Sequence, residues 1–202
     1  MLRRSDRNRF APGFVVFPGG AQEPEDAALA QRWFGDQVEI ARACAIRELG
    51  EETGLALKRS GLRAVTEGEY PVDAVSQAPP QPDALVEIGR WVAPEFLAVR
   101  FDAVFFAVRA HEALPLRVDG VEEDLASWAR PADLLAEGAL YETLMWPTYR
   151  TLEALAICRT VDDVLRLSVE QEPPPPGGRA RSPEWRPAEP SPQQQATEPR
   201  AR

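Results

Sequence analysis

Lysine is almost missing from this chain: Lys58 is the only one, and His111 is the only histidine. Acidic residues number 32 against 23 Lys and Arg, a formal charge of −9. That balance argues against a nucleic-acid backbone or an anionic membrane as partner, because both call for a positive face. Basic charge is carried by arginine, which suits phosphate recognition, although a GC-rich coding sequence gives the same bias more simply. An acidic chain that handles phosphates needs a metal or a local arginine cluster. Two cysteines, Cys44 and Cys158, cannot build a disulfide framework, and each reads as a small buried apolar residue. No apolar run reaches membrane length and no signal-peptide pattern is present, so the cytoplasm is the expected location. The ending Pro199-Arg200-Ala201-Arg202 is not a peroxisomal address. Neither a P-loop, nor HExxH, nor an internal repeat is found. His111 falls in a loop and reads as exposed and inert rather than as a base.

What the chain does have is Arg47-Glu48-Leu49-Gly50-Glu51-Glu52-Thr53-Gly54-Leu55, at the end of an apolar-periodic run. At 3.6 residues per turn, Glu48, Glu51 and Glu52 share an arc of about 100° on one helical face, with Ile46 and Leu49 turned off it. Like charges at i, i+3 and i+4 repel, and the last turn of a helix disfavours anions. A divalent cation relieves both penalties, and Mg²⁺ or Mn²⁺ is the hard, oxygen-seeking choice. Alone, three acidic residues describe a solvated face. Their neighbours point elsewhere.

Arg-Glu-Leu-x-Glu-Glu-x-Gly-Leu, with Glu39 eight residues before Arg47, resembles the second part of the Nudix box. The box normally opens with a glycine six residues before its first glutamate, but here position 33 is Trp. The matching Pro-Gly-Gly lies upstream at Pro18-Gly19-Gly20, which implies an insertion of thirteen residues between Gly20 and Glu39. An insertion at this point is similar to that of a Nudix subgroup typified by the mammalian peroxisomal coenzyme A diphosphatase. The resemblance extends from about residue 3 to about residue 168. It implies an α/β fold, a Nudix-type α/β/α sandwich with a mixed sheet and extra C-terminal helices, over residues 1–169. Residues 21–36 are the insertion, and residues 170–202 are a separate tail.

Phe14 to Phe17 reads as a short strand between glycine and proline. Ahead of it, Arg3, Arg4, Arg7 and Arg9 form either a guanidinium cluster facing phosphates or a solvated loop. The subgroup has a similar Leu-x-x-Arg-Ser segment there. Nudix domains usually begin with a long strand, of which Met1-Leu2 supplies only a tail. Either the true start lies upstream, or a sheet position is vacant or filled by another chain, as in a homodimer. In the insertion, Glu23 to Asp26 start a helix that Gly35-Asp36 ends, and Trp33 and Phe34 cover the core or the lip of the cleft. Residues 37–53 form the central helix, stopped by Gly54 in the manner of a C′ glycine. Leu62 to Val65 and Ala84 to Trp91 are expected strands, and Ser76 to Asp83 a loop. Arg100 to Val108 is the strongest strand pattern, apolar enough for burial on both faces. Leu125 to Trp128 is a further strand. Helices are expected from Pro131 to about Glu137, from Trp146-Pro147-Thr148 to about Cys158, and from Thr160. From Gln171 onward the chain is proline-rich and poor in aliphatics, the composition of a disordered segment.

By resemblance the reaction is hydrolysis of a diphosphate linkage. The metal ligands implied are Glu48, Glu52, Glu51 and the carbonyl of Gly20, where glycine lets the backbone approach closely. The general base is Glu48, Glu122 or Glu123; the last two otherwise read as a hydrophilic loop entry. Arg4, Arg9 and Arg100 are candidate substrate contacts, with an Arg100–Asp102 structural contact as the alternative. Glu39 and Arg47 are implied to orient the carboxylates, and Gly19 and Gly54 to shape the box. The C-terminal helices wall the cleft for an acyl or pantetheine arm, or simply pack the core. The substrate implied is coenzyme A or its acyl esters, giving 3′,5′-ADP and (acyl-)4′-phosphopantetheine. ADP-ribose, NADH and dinucleoside polyphosphates remain alternatives. So do a non-catalytic Nudix-like binding module and a truncated, inactive product.

Overall fold

The computed structural model describes residues 1–8, 11–93, 101–118, 120, 122–136 and 143–169. Arg9, Arg100 and the proline-rich segment lie outside the described residues.

The chain builds β1 (Leu2–Arg4), β2 (Val15–Val16), α1 (Pro24–Phe34), a 3₁₀ turn (Gln37–Glu39) and α2 (Ile40–Thr53). There follow β3 (Leu55–Lys58), β4 (Gly61–Ala64), α3 (Pro71–Gln77), β5 (Val86–Val92), β6 (Asp102–Ala107) and β7 (Glu123–Ala126). The helices α4 (Pro131–Ala136), α5 (Trp146–Ala156) and α6 (Val161–Val164) complete the described fold. The strands pair antiparallel in three groups, β2-β1-β7, β3-β4 and β5-β6. Isolated parallel bridges join Val15 to Leu144 and Val169 to Gly89.

The helix α2 is where the core and the acidic face meet. Its inner side sends Ala43 and Ile46 into a core shared with Leu29 and Trp33 of α1, Leu57 of β3 and Val75 of α3. Burying side chains of this size is worth about 1.5–3 kcal/mol each for the larger ones, which offsets the repulsion on the acidic side. Gly50 lets α3 approach closely, because a Cβ there would collide with the Pro71 ring. At the C-terminal end Gly54 takes a left-handed conformation (φ 69°) and its N–H donates to the Gly50 carbonyl, as a helix-stopping glycine does. Most of the inserted residues become α1, closed by Gly35 at φ 76° and tied to α3 by a hydrogen bond from Trp33 Nε1 to Ser76 Oγ (2.9 Å). Trp33 thus belongs to the core, not to a cleft lip.

Leu2–Arg4 is a strand with a neighbour on each side: Leu2 is buried and faces Val16 on one side and Ala126 on the other. Of the three only Leu2 is buried, while Arg3 reaches Asp124 (3.3 Å) and Asp6 (3.4 Å). The loop expected over Ser76 to Asp83 is corrected at both ends: Ser76 and Gln77 close a helix that Pro71, suited to a first turn, begins, and Pro82–Ala84 is a 3₁₀ turn. The strand β6 is half-buried rather than sealed on both faces: Phe105 meets Phe17 edge-to-face at 6.1 Å, and Phe106 lies under the Arg42 guanidinium at 5.2 Å. Among the described residues no helix is long and apolar enough to cross a membrane.

Candidate active site

One cleft gathers Glu48, Glu51 and Glu52 from α2 with Glu122 and Glu123 from the start of β7; its volume is about 150 Å³. Helical geometry alone puts the first three side by side. The other two arrive through β-pairing: Arg4 of β1 faces Glu123 of β7 across a register shift, and the Ser5 N–H donates to the Glu122 carbonyl at 2.8 Å.

The glycine turn sits against this face. The Gly19 N–H donates to Glu52 Oε2 at 2.7 Å. Gly20 is so close to Glu48 that a Cβ built on it would fall on the Glu48 carboxylate. Its own carbonyl lies 3.8 Å from Cys44 Sγ. The two halves of the motif, separated in sequence by the insertion, therefore meet in space.

Arg47 is the hub of the cluster. Its side chain is 3% exposed, and each nitrogen is used. Nε and Nη2 grip the two Asp26 oxygens at 2.8 and 3.1 Å, and Nη2 also reaches the Ala21 carbonyl at 3.3 Å. Nη1 meets Glu51 at 2.8 Å and Glu48 at 2.9 Å. A guanidinium is the cation suited to this, having five donors in a rigid plane. Arg47 is held firmly protonated, first by the hydrogen bond to Asp26. Burial, the largest single influence, pushes the Asp26 carboxyl up, but the Arg47 hydrogen bond, the Glu23 N–H and the Arg47 charge together outweigh it and hold the group below the usual range.

The carboxylates facing the cleft are strained electrostatically. Burial is the main cause of a Glu52 pKa raised to about 8; the Gly19 N–H opposes it, the charges of Glu123 and Glu48 add to it, and Arg4 opposes it. Glu48 is also raised, again mainly by burial, with Arg47 in opposition. A cation held between Glu48 and Glu52 would favour the charged form of both. Cys44 is pushed up to about 12 by burial and by the Asp26 charge, so its thiol is inert at neutral pH.

The donor set fits a hard divalent cation: carboxylate oxygens and a backbone carbonyl beside a glycine. Among the described residues no three His, Cys, Asp or Glu side chains are grouped so as to hold a metal ion by themselves. A hard divalent cation that keeps several of its waters needs fewer protein ligands than that.

Of the expected site residues, Glu48, Glu51, Glu52, Glu122, Glu123, Gly19, Gly20, Arg47 and Arg4 come together. Glu39 does not: it sits before the first turn of α2 and pairs with Arg42 at 2.5 Å. The acid that grips Arg47 is Asp26, in the first turn of α1 and fully buried. The sequence carries one signal for Asp26, its spacing. It lies six residues after Gly20, the separation expected between the box glycine and its first acid.

The NUDIX domain family model matches residues 1–154. The crystal structure of a NUDIX hydrolase from Alicyclobacillus acidocaldarius resembles the chain with a TM-score of 0.68 and 33% sequence identity, covering 84% of this chain and 88% of that one. A Caenorhabditis elegans protein named Putative nudix hydrolase 7 is 41% identical over 61 residues, 30% of this chain and 18% of that protein's length. The chain therefore spans less than a fifth of that curated relative. A domain match over most of the described fold and a structural neighbour of the same class place this chain in the Nudix hydrolase family.

Proposed function

We propose that this protein hydrolyses the diphosphate linkage of a nucleoside diphosphate derivative with a divalent cation, Mg²⁺ or Mn²⁺, and that its substrate is coenzyme A or an acyl coenzyme A. One observation carries the reading: the Pro18-Gly19-Gly20 turn touches Glu52 and Glu48 across the insertion. Nudix hydrolases use divalent metal ions and act on small nucleoside diphosphate derivatives, and the oxygen donors of this cleft are the kind such ions require.

Glu48, Glu52 and the Gly20 carbonyl would hold the cation, with Glu51 as a further ligand directly or through water. A bound cation supplies charge neutralisation of the phosphoryl oxygens and lowers the pKa of water. The chain's own residues do the rest. Glu48, or one of Glu122 and Glu123, takes the proton from the attacking water. Arg4, whose charge already acts on Glu52, faces the incoming phosphates. Arg47 does not touch substrate; it fixes the Glu48 and Glu51 carboxylates. The coenzyme A assignment is supported by the insertion within the box and by the Arg4-Ser5 pair ahead of the glycine turn, both similar to the diphosphatase subgroup.

The test is a hydrolysis panel of coenzyme A, acyl coenzyme A, ADP-ribose, NADH and a diadenosine polyphosphate, with products identified by mass. Appearance of 3′,5′-ADP with 4′-phosphopantetheine is expected. Preference for another panel member overturns the coenzyme A assignment. Metal binding with no turnover of any member makes the protein a binding module.

A further inference from the structure

We infer that an irregularity at the start of β7 selects which acid enters the cleft, and that Asn8 is the positioning residue that holds it: with the Glu122 carbonyl fixed by the Asn8 amide, Glu123 rather than Asp124 is turned toward Glu52. The inference rests on the metal-dependent reading above and adds to it how the fold delivers this acid.

In a regular antiparallel ladder partners advance one for one, and side chains alternate between the two faces. Leu2 faces Ala126 and Arg3 faces Leu125, so Arg4 should face Asp124. It faces Glu123 instead. Asp124 is thus the extra residue of a β-bulge, a device that re-aims side chains beside active sites. Burial follows the shift. Asp124 and Leu125 are exposed in succession, which alternation does not allow, while Glu123 is 2% exposed and lines the cleft with Glu52. In a regular register the face that carries Leu2 and Ala126 would present the shorter Asp124, and Glu123 would point to the outer side.

Two donors from the segment after β1 hold this bulge. The Ser5 N–H (2.8 Å) and Asn8 Nδ2 (2.7 Å) both donate to the Glu122 carbonyl. Together they use both lone pairs of that oxygen. They therefore fix the peptide plane from which Glu123 departs. The turn that carries Asn8 is itself closed. The Asn8 N–H donates to the Ser5 carbonyl at 3.0 Å, the Arg7 N–H reaches Ser5 Oγ at 3.4 Å, and Ser5 is buried. On the other side of the bulge Arg3 meets Asp124 at 3.3 Å, with side chains 43% and 40% exposed. An exposed pair of that kind contributes little, so the bulge leans on the Asn8 amide.

The test compares Asn8→Asp, Asn8→Gln and Asp124→Asn with the parent protein. Asn8→Asp keeps the shape but removes the donor and sets a carboxylate against the Glu122 carbonyl. Kinetics are taken with coenzyme A and Mg²⁺, and a crystal structure of Asn8→Asp shows where Glu123 points. Asn8→Asp is expected to lower kcat at least about 10-fold with KM within about twofold, because a small misplacement of a working group costs turnover. Its Glu123 carboxylate is expected to move away from Glu52. Asn8→Gln, which keeps the amide donor, is expected to recover most of kcat. Asp124→Asn, which alters an exposed pair, should leave kcat unchanged. A folded Asn8→Asp protein with parental kcat and Glu123 in its parental place overturns the inference. So does an equal loss of kcat in Asp124→Asn. Should Asn8→Asp not fold, the other two variants still decide: an Asn8→Gln protein that does not recover kcat, or a sensitive Asp124→Asn protein, counts against it. If the parent protein does not turn over coenzyme A, the functional reading fails, while the Asn8→Asp crystal structure tests the bulge separately.

Discussion

Replacing Glu52 by Gln should make the metal-free protein more stable and far less active at once. The carboxyl is nearly buried, 8% exposed, and burial with the neighbouring Glu123 and Glu48 charges raises its pKa from 4.5 to about 8. The folded state therefore holds a proton that the unfolded chain releases, so stability falls as pH rises from about 4.5 to about 8. At 1.36 kcal/mol per unit, the penalty accumulated by pH 7 is about 3 kcal/mol. Glutamine has no such penalty, and its side-chain carbonyl can still accept from the Gly19 N–H. Urea unfolding in chelator should find Glu52→Gln more stable than the parent by about 2–3 kcal/mol at pH 7, shrinking below about 1 kcal/mol at pH 5. Added Mg²⁺ at 100 times its Kd should stabilise the parent by about 2.7 kcal/mol and the variant hardly at all. Turnover of the diphosphate substrate should drop on the order of 100-fold or more, because a ligand oxygen with full charge is gone. A variant that is less stable than the parent in chelator, or that keeps near-normal turnover, refutes the reasoning.

Gly20→Ala should place its Cβ on the Glu48 carboxylate, lowering turnover at least about 10-fold while circular dichroism stays native; unchanged kinetics would remove the Gly20–Glu48 contact from the account. Gly50→Ala should collide with Pro71 and cost about 1–3 kcal/mol in denaturant unfolding, with little change in KM. A chain ending at Val169 is expected to keep the melting temperature and activity of the full one. A large drop in either would show that the domain does not end there.

Much of this site was legible because helical periodicity is rigid. Once Glu48, Glu51 and Glu52 lie on one continuous helix, their shared face follows from 3.6 residues per turn, and Gly54 marks where that helix must stop. The approach of Gly19 and Gly20 to that face was expected from resemblance alone, and the fold places them there. The Asp26 contact with Arg47 is not legible in the same way, because motif spacing constrains residues only along an uninterrupted element. Glu39 keeps the spacing to Arg47 and Asp26 keeps the spacing to Gly20. Packing of α1 on α2 decides between them, and no periodicity encodes that. The strand β1 was obscured by its length, since three residues with two arginines give no alternation to read. The pairing of β1 with β7, which brings Glu123 to Glu52, is a contact between residues more than a hundred positions apart. Local pattern carries no information about it.

The central claim is that the glycine turn and the acidic face of α2 together hold a divalent cation. Crystals soaked in Mn²⁺ and measured at its absorption edge test this most directly. The account predicts an anomalous peak at bonding distance from Glu48, Glu52 and the Gly20 carbonyl. A peak elsewhere on the protein, with that cleft empty, would contradict it.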